Sequence, residues 1–317
     1  MEMIKAKWLM TIIATLGLLS FQPASADENL WVYTKGTDTR PEGSTEIKLN
    51  SISRFNKDSG DYTFHDIRPE IEYGITDYLT VGAALMIFSH DYSVDDPDLE
   101  PMFETQGGAG STFKKTQIGG YEIKLKYNIL SPYKDALGLS LGFAYERRDK
   151  YRLDGADIDQ DSFVPMIFLQ KNFLDDTLVF AFMGKMEFER RKSPGVLEEE
   201  IALDFALGVS YRFQPKWFVG LEFRHQSDYL CPEEEGVCDP ELQRSSWDLG
   251  DFKIGTQHQN GNYLGPSIHY AEEKWYATAG ILFQIFGGGS QFAFVRDNKN
   301  WDEHEKYHLG FSFGYNF

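Results

Sequence analysis

Beyond residue 26 this 317-residue sequence has no apolar stretch approaching the roughly 20 uninterrupted residues that a transmembrane helix requires. Any membrane-spanning role must therefore rest on strands. Positive charge is scarce as well: 31 Lys and Arg stand against 49 Asp and Glu, a formal net charge of -18. That balance excludes the clustered cationic surface on which phosphate recognition depends, so no nucleic-acid partner is expected. Cysteine is nearly absent. The two present, Cys231 and Cys238, share one acidic stretch and read as a single local disulfide in an oxidising compartment, closing a loop worth about 2 to 3 kcal/mol on a chain-entropy estimate. No Cys follows the small residues near position 26, so nothing points to a lipid-anchored lipoprotein. The glycine-rich pieces Gly107-Gly108-Ala109-Gly110 and Gly287-Gly288-Gly289 lack the Lys-Ser or Lys-Thr of a phosphate cradle and read as flexible loops.

What is present begins with an export signal. Lys5 and Lys7 precede an apolar run from Trp8 to Leu19, and Ala24-Ser25-Ala26 supplies small residues where signal peptidase cuts. The apolar core is too short to cross about 30 Å of hydrocarbon, so residues 1–26 are expected to be removed and the mature chain to start at Asp27. Aromatic residues make up 15% of the chain and Gly contributes 29 positions, while the mean hydropathy is negative. This is odd for a helix bundle and normal for a barrel with a wet interior. About 290 mature residues could equally form two soluble domains, so the pattern along the chain decides.

That pattern is alternation. Leu79, Val81, Ala83, Leu85 and Ile87 are apolar, with Thr80, Gly82, Ala84 and Met86 between them. Tyr121, Ile123, Leu125, Tyr127 and Ile129 alternate with Glu122, Lys124, Lys126 and Asn128, charges that a sandwich core could not hold but a wet lumen can. Residues 137–146 and 201–212 repeat the scheme. Period two sends neighbours to opposite faces, so the apolar set meets lipid and the polar set the lumen. Asn50-Ser51, Pro165 and Pro266 interrupt clean alternation in the first, sixth and tenth strands.

Connections come in two kinds. Short turns lie at Thr76-Asp77-Tyr78, Ser131-Pro132-Tyr133-Lys134, Leu174-Asp175-Asp176, Gln214-Pro215-Lys216 and Ala271-Glu272-Glu273-Lys274. Mostly longer polar stretches alternate with them, at 56–61, 91–115, 147–159, 190–197, 226–258 and 287–304. With both termini inside, this predicts an all-β, antiparallel up-and-down transmembrane barrel of about twelve strands, with short periplasmic turns and longer extracellular loops. Residues 27–43 are assigned to a periplasmic N-terminal segment and 44–317 to the barrel. Tyr73, Tyr78, Tyr127, Tyr133, Phe173, Tyr211, Phe213, Trp217, Tyr270, Trp275 and Tyr315 fall beside the short turns or the C-terminal end, as an inner aromatic girdle requires.

The last strand alternates from Tyr307 through Tyr315 to Phe317 and resembles the C-terminal signature by which outer-membrane barrels meet their assembly machinery. A second resemblance spans 37 to about 92 and rests on Thr39-Arg40-Pro41-Glu42-Gly43, Gly60-Asp61-Tyr62 and the run from Asp66 to Asp77. It is similar to an uncharacterised proteobacterial family of outer-membrane barrels of unknown function, loosely porin-like or transporter-like. The resemblance implies the outer membrane of a Gram-negative bacterium and carries over no catalytic or substrate residues.

The candidate lumen set is Lys48, Arg68, Glu70, Glu72, Glu122, Lys124, Lys126, Glu146, Lys185, Glu187, Glu189, Asp204, Arg212, Glu222 and Arg224. Both signs are interleaved. This reads either as a passive, porin-like channel for small hydrophilic solutes or as a salt-bridge network filling a narrow barrel, since twelve strands lie between filled eight-stranded and open sixteen-stranded barrels. The acidic stretches around Asp91 to Glu104 and Glu233 to Glu241 read as solvated surface or as carboxylates bridged by Ca²⁺ or Mg²⁺ to lipopolysaccharide, without the fixed spacing of a calcium loop. No cofactor is expected. Nor is an enzyme, and the alternative of a lipid-modifying outer-membrane enzyme finds poor pairs: Ser89 and His90 point to opposite faces, and His304 and His308 lie about 13 Å apart along an extended strand. His225 and Ser227 share a face, but the sequence places no carboxylate to orient the imidazole.

Overall fold

The structure is a computed structural model describing residues 29–58, 60–93, 112–193, 196–230, 233–234, 237–238, 256–289, 297–301 and 303–317. Fourteen strands form among them: β1 Thr45–Phe55, β2 Tyr62–Thr76, β3 Leu79–Ser93, β4 Thr112–Leu130, β5 Gly138–Lys150, β6 Asp157–Phe173 and β7 Leu178–Ser193. They continue with β8 Val196–Gln214, β9 Trp217–Leu230, β10 Glu233–Glu234, β11 Val237–Cys238, β12 Thr256–Ala271, β13 Trp275–Gly289 and β14 Tyr307–Asn316. β10 and β11 make a small separate hairpin; the other twelve close into one antiparallel barrel in which β1 pairs with both β2 and β14. Cys231 and the acidic residues 94–104 lie outside the described residues.

Closure follows from backbone chemistry, because hydrocarbon offers no partner to an unpaired N–H or C=O, and joining first strand to last removes both edges. Leu49 pairs with Phe313 on one side and Pro69 on the other, so the ladder runs on through Asn50-Ser51 where the sequence pattern faltered. The prolines interrupt it locally. The β2–β3 register skips from Ile67 to Glu70 around Pro69, β6–β7 from Phe163 to Met166 around Pro165, and β12–β13 from Leu264 to Ser267 around Pro266. Proline has no N–H to donate, so each sits where one side of its strand goes unbonded.

Alternation resolves as the period of two demands. Ile71, Ile123, Tyr127, Leu207 and Leu221 are exposed on the outer wall, while Glu70, Glu72, Glu146 and Arg224 are buried within it. At the periplasmic ends the rings pack in series, Trp217 on Tyr270 at 4.7 Å, Tyr270 on Trp275 at 5.3 Å and Trp275 on Phe313 at 6.0 Å. The strands reach further outward than the sequence implied: β7 and β8 pair up to Ser193 and Val196, inside the expected loop 190–197. Polar side chains there, such as Arg190 opposite Glu199, accept water as readily as lumen, so loss of hydrophobic alternation did not mark the end of backbone pairing.

A one-residue slip would turn Lys124 and Lys126 toward lipid, at about 2 to 4 kcal/mol each near the midplane. Spin labels at 122, 124 and 126 should be relaxed by water-soluble quenchers and labels at 123 and 125 by dissolved oxygen; lipid-side relaxation of the even set would refute this register.

Candidate functional site

The N-terminal segment ahead of β1 lies inside the barrel, rising from the short-turn end until Val32 lies against Gly310 and Tyr33 reaches His308. Leu30 and Trp31 are 2% and 1% exposed. Trp31 packs where β8 and β9 have glycines: a Cβ at Gly208 would stand 2.5 Å from Trp31 Cε2, so only a bare backbone admits the indole. Its Nε1 donates to Val209 O at 3.1 Å. Glu222, from β9, is fully buried and its carboxylate accepts from the backbone N–H groups of Val32 at 3.1 Å, Tyr33 at 2.9 Å and Thr34. Three donors on one carboxylate form a strong charge-assisted clasp. Further along, Thr37 N donates to Gln170 Oε1 at 2.9 Å, Asn128 Nδ2 and Ser140 Oγ donate to Thr37 O, and Lys126 Nζ donates to Gly36 O at 2.7 Å.

Two connections fold in from the opposite end. In the β5–β6 connection the backbone carbonyls of Arg152, Leu153, Asp154 and Gly155 accept, in turn, from His90, Tyr62, Tyr92 and Gln117 on the inner wall of β2 to β4. In the β13–β14 connection Gln284 Nε2 donates to Asn300 O at 2.7 Å and Tyr263 OH to Glu305 O at 3.0 Å. The two ends meet at His308, whose Nδ1 is 2.7 Å from Tyr33 OH and whose Nε2 is 3.1 Å from Glu305 Oε2. Burial pushes the Tyr33 phenol up to about 12, against the pull of nearby Arg224, so it stays neutral. Glu305 would be raised by its burial, but Arg54 and Lys57 hold it well below the usual carboxylate range.

Between these inserts lies a cavity of about 320 Å³. Among the described residues its lining carries eleven carboxylates and ten Lys or Arg side chains, a near balance that contrasts with the -18 of the whole chain. On one wall Lys48 lies 2.7 Å from Glu72 and 3.7 Å from Glu70, and Lys124 bridges the same two carboxylates. Arg68 reaches Asp66 at 2.9 Å, Glu122 at 3.2 Å and Glu146 at 3.3 Å. Arg148 continues the network to Glu146 at 2.6 Å, Glu187 at 2.5 Å and Glu189 at 3.5 Å. Across the lumen Arg224 holds Asp204 at 2.8 Å and lies over the Tyr33 ring. Lys185 borders the cavity with no ion pair within 4.0 Å among the described residues, and so does Arg152.

Of the fifteen residues proposed from sequence, thirteen border this cavity. Glu222 faces inward but is covered by the segment it clasps. Arg212 sits at the inner rim, where its Nη2 donates to Asp175 O at 3.1 Å. Sequence reasoning placed 27–43 in the periplasm, and the structure adds that 29–37 enters the lumen. The available signal was the cluster Leu30-Trp31-Val32-Tyr33, too apolar and aromatic for a solvated tail.

The chain belongs to a family of unknown function, DUF6662, whose model matches residues 23–317. No curated protein sequence matches it. Among solved structures it is similar to the COG4313 outer membrane channel from Pseudomonas putida F1, with a TM-score of 0.58 and 10% identity over 89% of this chain and 98% of that one. The beta domain of the Bordetella autotransporter Brka gives a TM-score of 0.52 at 10% identity, covering 87% of this chain and all of that one. The KdgM porin gives 0.42 at 12%, covering 86% and 99%. At the 10% identity of the first two, the shared property is the fold, an outer-membrane barrel.

Glu222→Ala would strip three backbone donors of their acceptor, at about 1 to 3 kcal/mol for each group left unsatisfied. A spin label at position 35 should become mobile in that variant while the barrel stays folded, and Glu222→Gln should be intermediate. A second outcome concerns pH. Burial raises the Asp154 carboxyl to about 6 from 3.8, opposed by the Ala156 N–H and Arg191, so the docked connection favours its neutral form. The resulting stabilisation is complete below pH 3.8 and lost as pH rises through 6. A label at position 156 should be immobile at pH 4 and looser at pH 7, and Asp154→Asn should remove the difference.

Proposed function

We propose that this protein is an outer-membrane channel for small hydrophilic solutes, narrowed at its periplasmic end by its own N-terminal segment and at its outer end by the two inserted connections. The observation that carries the reading is the polar cavity of about 320 Å³ between those inserts, with its near-balanced lining. A barrel serving only as a scaffold gains nothing from ionised groups lining a cavity, since apolar side chains would fill that volume at less desolvation cost. A balanced lining favours solutes carrying both signs of charge, or none, over small ions of one sign. The reading includes export by a cleaved signal peptide, delivery to the barrel-assembly machinery through Tyr315 and Phe317, a Cys231–Cys238 bridge, and contact with lipopolysaccharide through the acidic outer stretches, with or without Ca²⁺ or Mg²⁺.

The second reading, a closed barrel acting through its acidic surface, is favoured by the ion-pair network, which would seal the lumen if the inserts never move. Planar-bilayer recording separates the two. Purified, heat-modifiable protein should show small openings with weak ion selectivity, and deletion of residues 29–37 should raise the conductance at least two-fold. Absence of reproducible openings in both proteins would refute the channel.

A further inference from the structure

The outward face of β9 and β12 carries a hydrogen-bonded chain that solute passage does not use. His225 and Ser227 are two positions apart on β9, so both point out of the barrel, and Asn262 on β12 is the ladder partner of His225. His225 Nε2 lies 3.0 Å from Ser227 Oγ, and His225 Nδ1 lies 2.7 Å from Asn262 Oδ1. The amide is itself oriented: Asn262 Nδ2 donates to Asn260 Oδ1 at 3.1 Å, and Asn260 Nδ2 donates to Gln257 Oε1 at 3.1 Å. With its NH₂ group committed to Asn260, Asn262 presents its carbonyl to the ring. A carbonyl at that position selects the tautomer with hydrogen on Nδ1, leaving Nε2 as an acceptor for the serine proton. Phe205 stacks on the imidazole at 6.1 Å and 11°, which fixes the ring plane. The sequence offered no group to orient His225; the β12 register supplies one.

The level is set by the strand. β9 begins at Trp217 in the inner girdle, and roughly eight to ten residues at about 3.3 Å each, on a strand tilted by about 40°, lift His225 and Ser227 about 20 to 25 Å. That is the outer edge of an apolar band about 25 Å tall, where the ester groups of outer-leaflet lipid lie.

We propose that Ser227, His225 and Asn262 form an acyl-transfer site that hydrolyses a carboxylic ester of a membrane glycerolipid. Ser227 Oγ forms a bond to the ester carbonyl carbon as His225 Nε2 takes its proton. The carbon–alkoxy bond then breaks, and the departing lysolipid oxygen receives that proton. Water, deprotonated by the same nitrogen, attacks the acyl-enzyme and releases a fatty acid, and the proton returns to Ser227. Asn262 is a positioning residue, acting through His225. Ser227 is fully buried and Asn262 is 3% exposed, while His225 is half-buried, so the site is packed into the outer wall and the lipid that surrounds that wall is the reactant nearest to it.

The test uses the full chain folded into phosphatidylcholine–phosphatidylglycerol vesicles carrying a labelled acyl chain, with heat-modifiable migration confirming the barrel for every variant. A lipophilic fluorophosphonate should give one adduct, mapped to Ser227, and fatty-acid release should exceed that of vesicles alone at least ten-fold. Ser227→Ala should lose both. Asn262→Ala should lower release about ten-fold and shift its pH profile, and Asn262→Asp should restore both. Folded wild-type protein giving neither adduct nor fatty acid, or release that survives Ser227→Ala, would overturn the proposal. Neither result bears on conductance, so the channel reading stands or falls separately.

Discussion

Every feature of this protein is subordinate to the pairing of β1 with β14. Hydrocarbon provides no hydrogen-bond partner for a peptide group, so a spanning sheet must end where it began. Once Glu46 is opposite Asn316 and Phe55 opposite Tyr307, the register of the whole barrel follows strand by strand, and with it which side chains meet lipid and which meet each other. The apolar outer wall contributes little to holding strands together, since lipid tails are as apolar as the side chains they touch. The interior then carries the specificity of the fold.

That interior resembles neither a water-filled pore nor a dry core. A ring of twelve strands encloses more volume than its inward side chains fill, and long charged groups bridge the space in pairs and triads while folded-in backbone takes up part of the remainder and borders the cavity of about 320 Å³. Each ion pair taken alone is weak evidence for stability, because desolvation offsets attraction. Removing one partner still costs about 3 to 5 kcal/mol by leaving a buried charge uncompensated. The network from Lys48 through Arg68 to Arg148 is best understood as mutual constraint, in which each charge is tolerable because the next is present. Glu222 is tolerated in the same way by three backbone N–H groups. His308, between Tyr33 and Glu305, links the inner insert to an outer one, so a displacement at either end is felt at the other.

Particular residues show how far the sequence reached. The run from Tyr121 to Ile129 predicted its own orientation, because alternating Glu and Lys between large apolar groups has one reading in a lipid-spanning strand. Asn50-Ser51 interrupts the alternation but not the ladder, and Pro165 and Pro266 interrupt the ladder on one side only, because a strand with partners on both sides tolerates one missing ladder bond. Trp31 looked like part of a tail and is an anchor. Its seat, Gly208 and Gly220, lies far along the chain, and glycine in a strand gives no sign of what will lie against it. His225 and Ser227 were visible as a pair, but Asn262 becomes their third member only through the register between β9 and β12, which shifts between Gln257 and Gln259.

The sequence by itself determined the class of the molecule: strands of period two, their number, their two faces, and the girdle at the inner ends. These are local properties, written in the spacing of neighbours along one strand and enforced by two solvents, lipid and water, that sort side chains without reference to the rest of the chain. Tertiary structure alone decided that residues 29–37 enter the lumen, that Glu222 clasps backbone instead of lining a pore, that the charges balance around one cavity, and that Asn262 meets His225. Those outcomes depend on contacts between residues distant in sequence, and only closing the sheet fixes the distances that make one such contact available and another impossible.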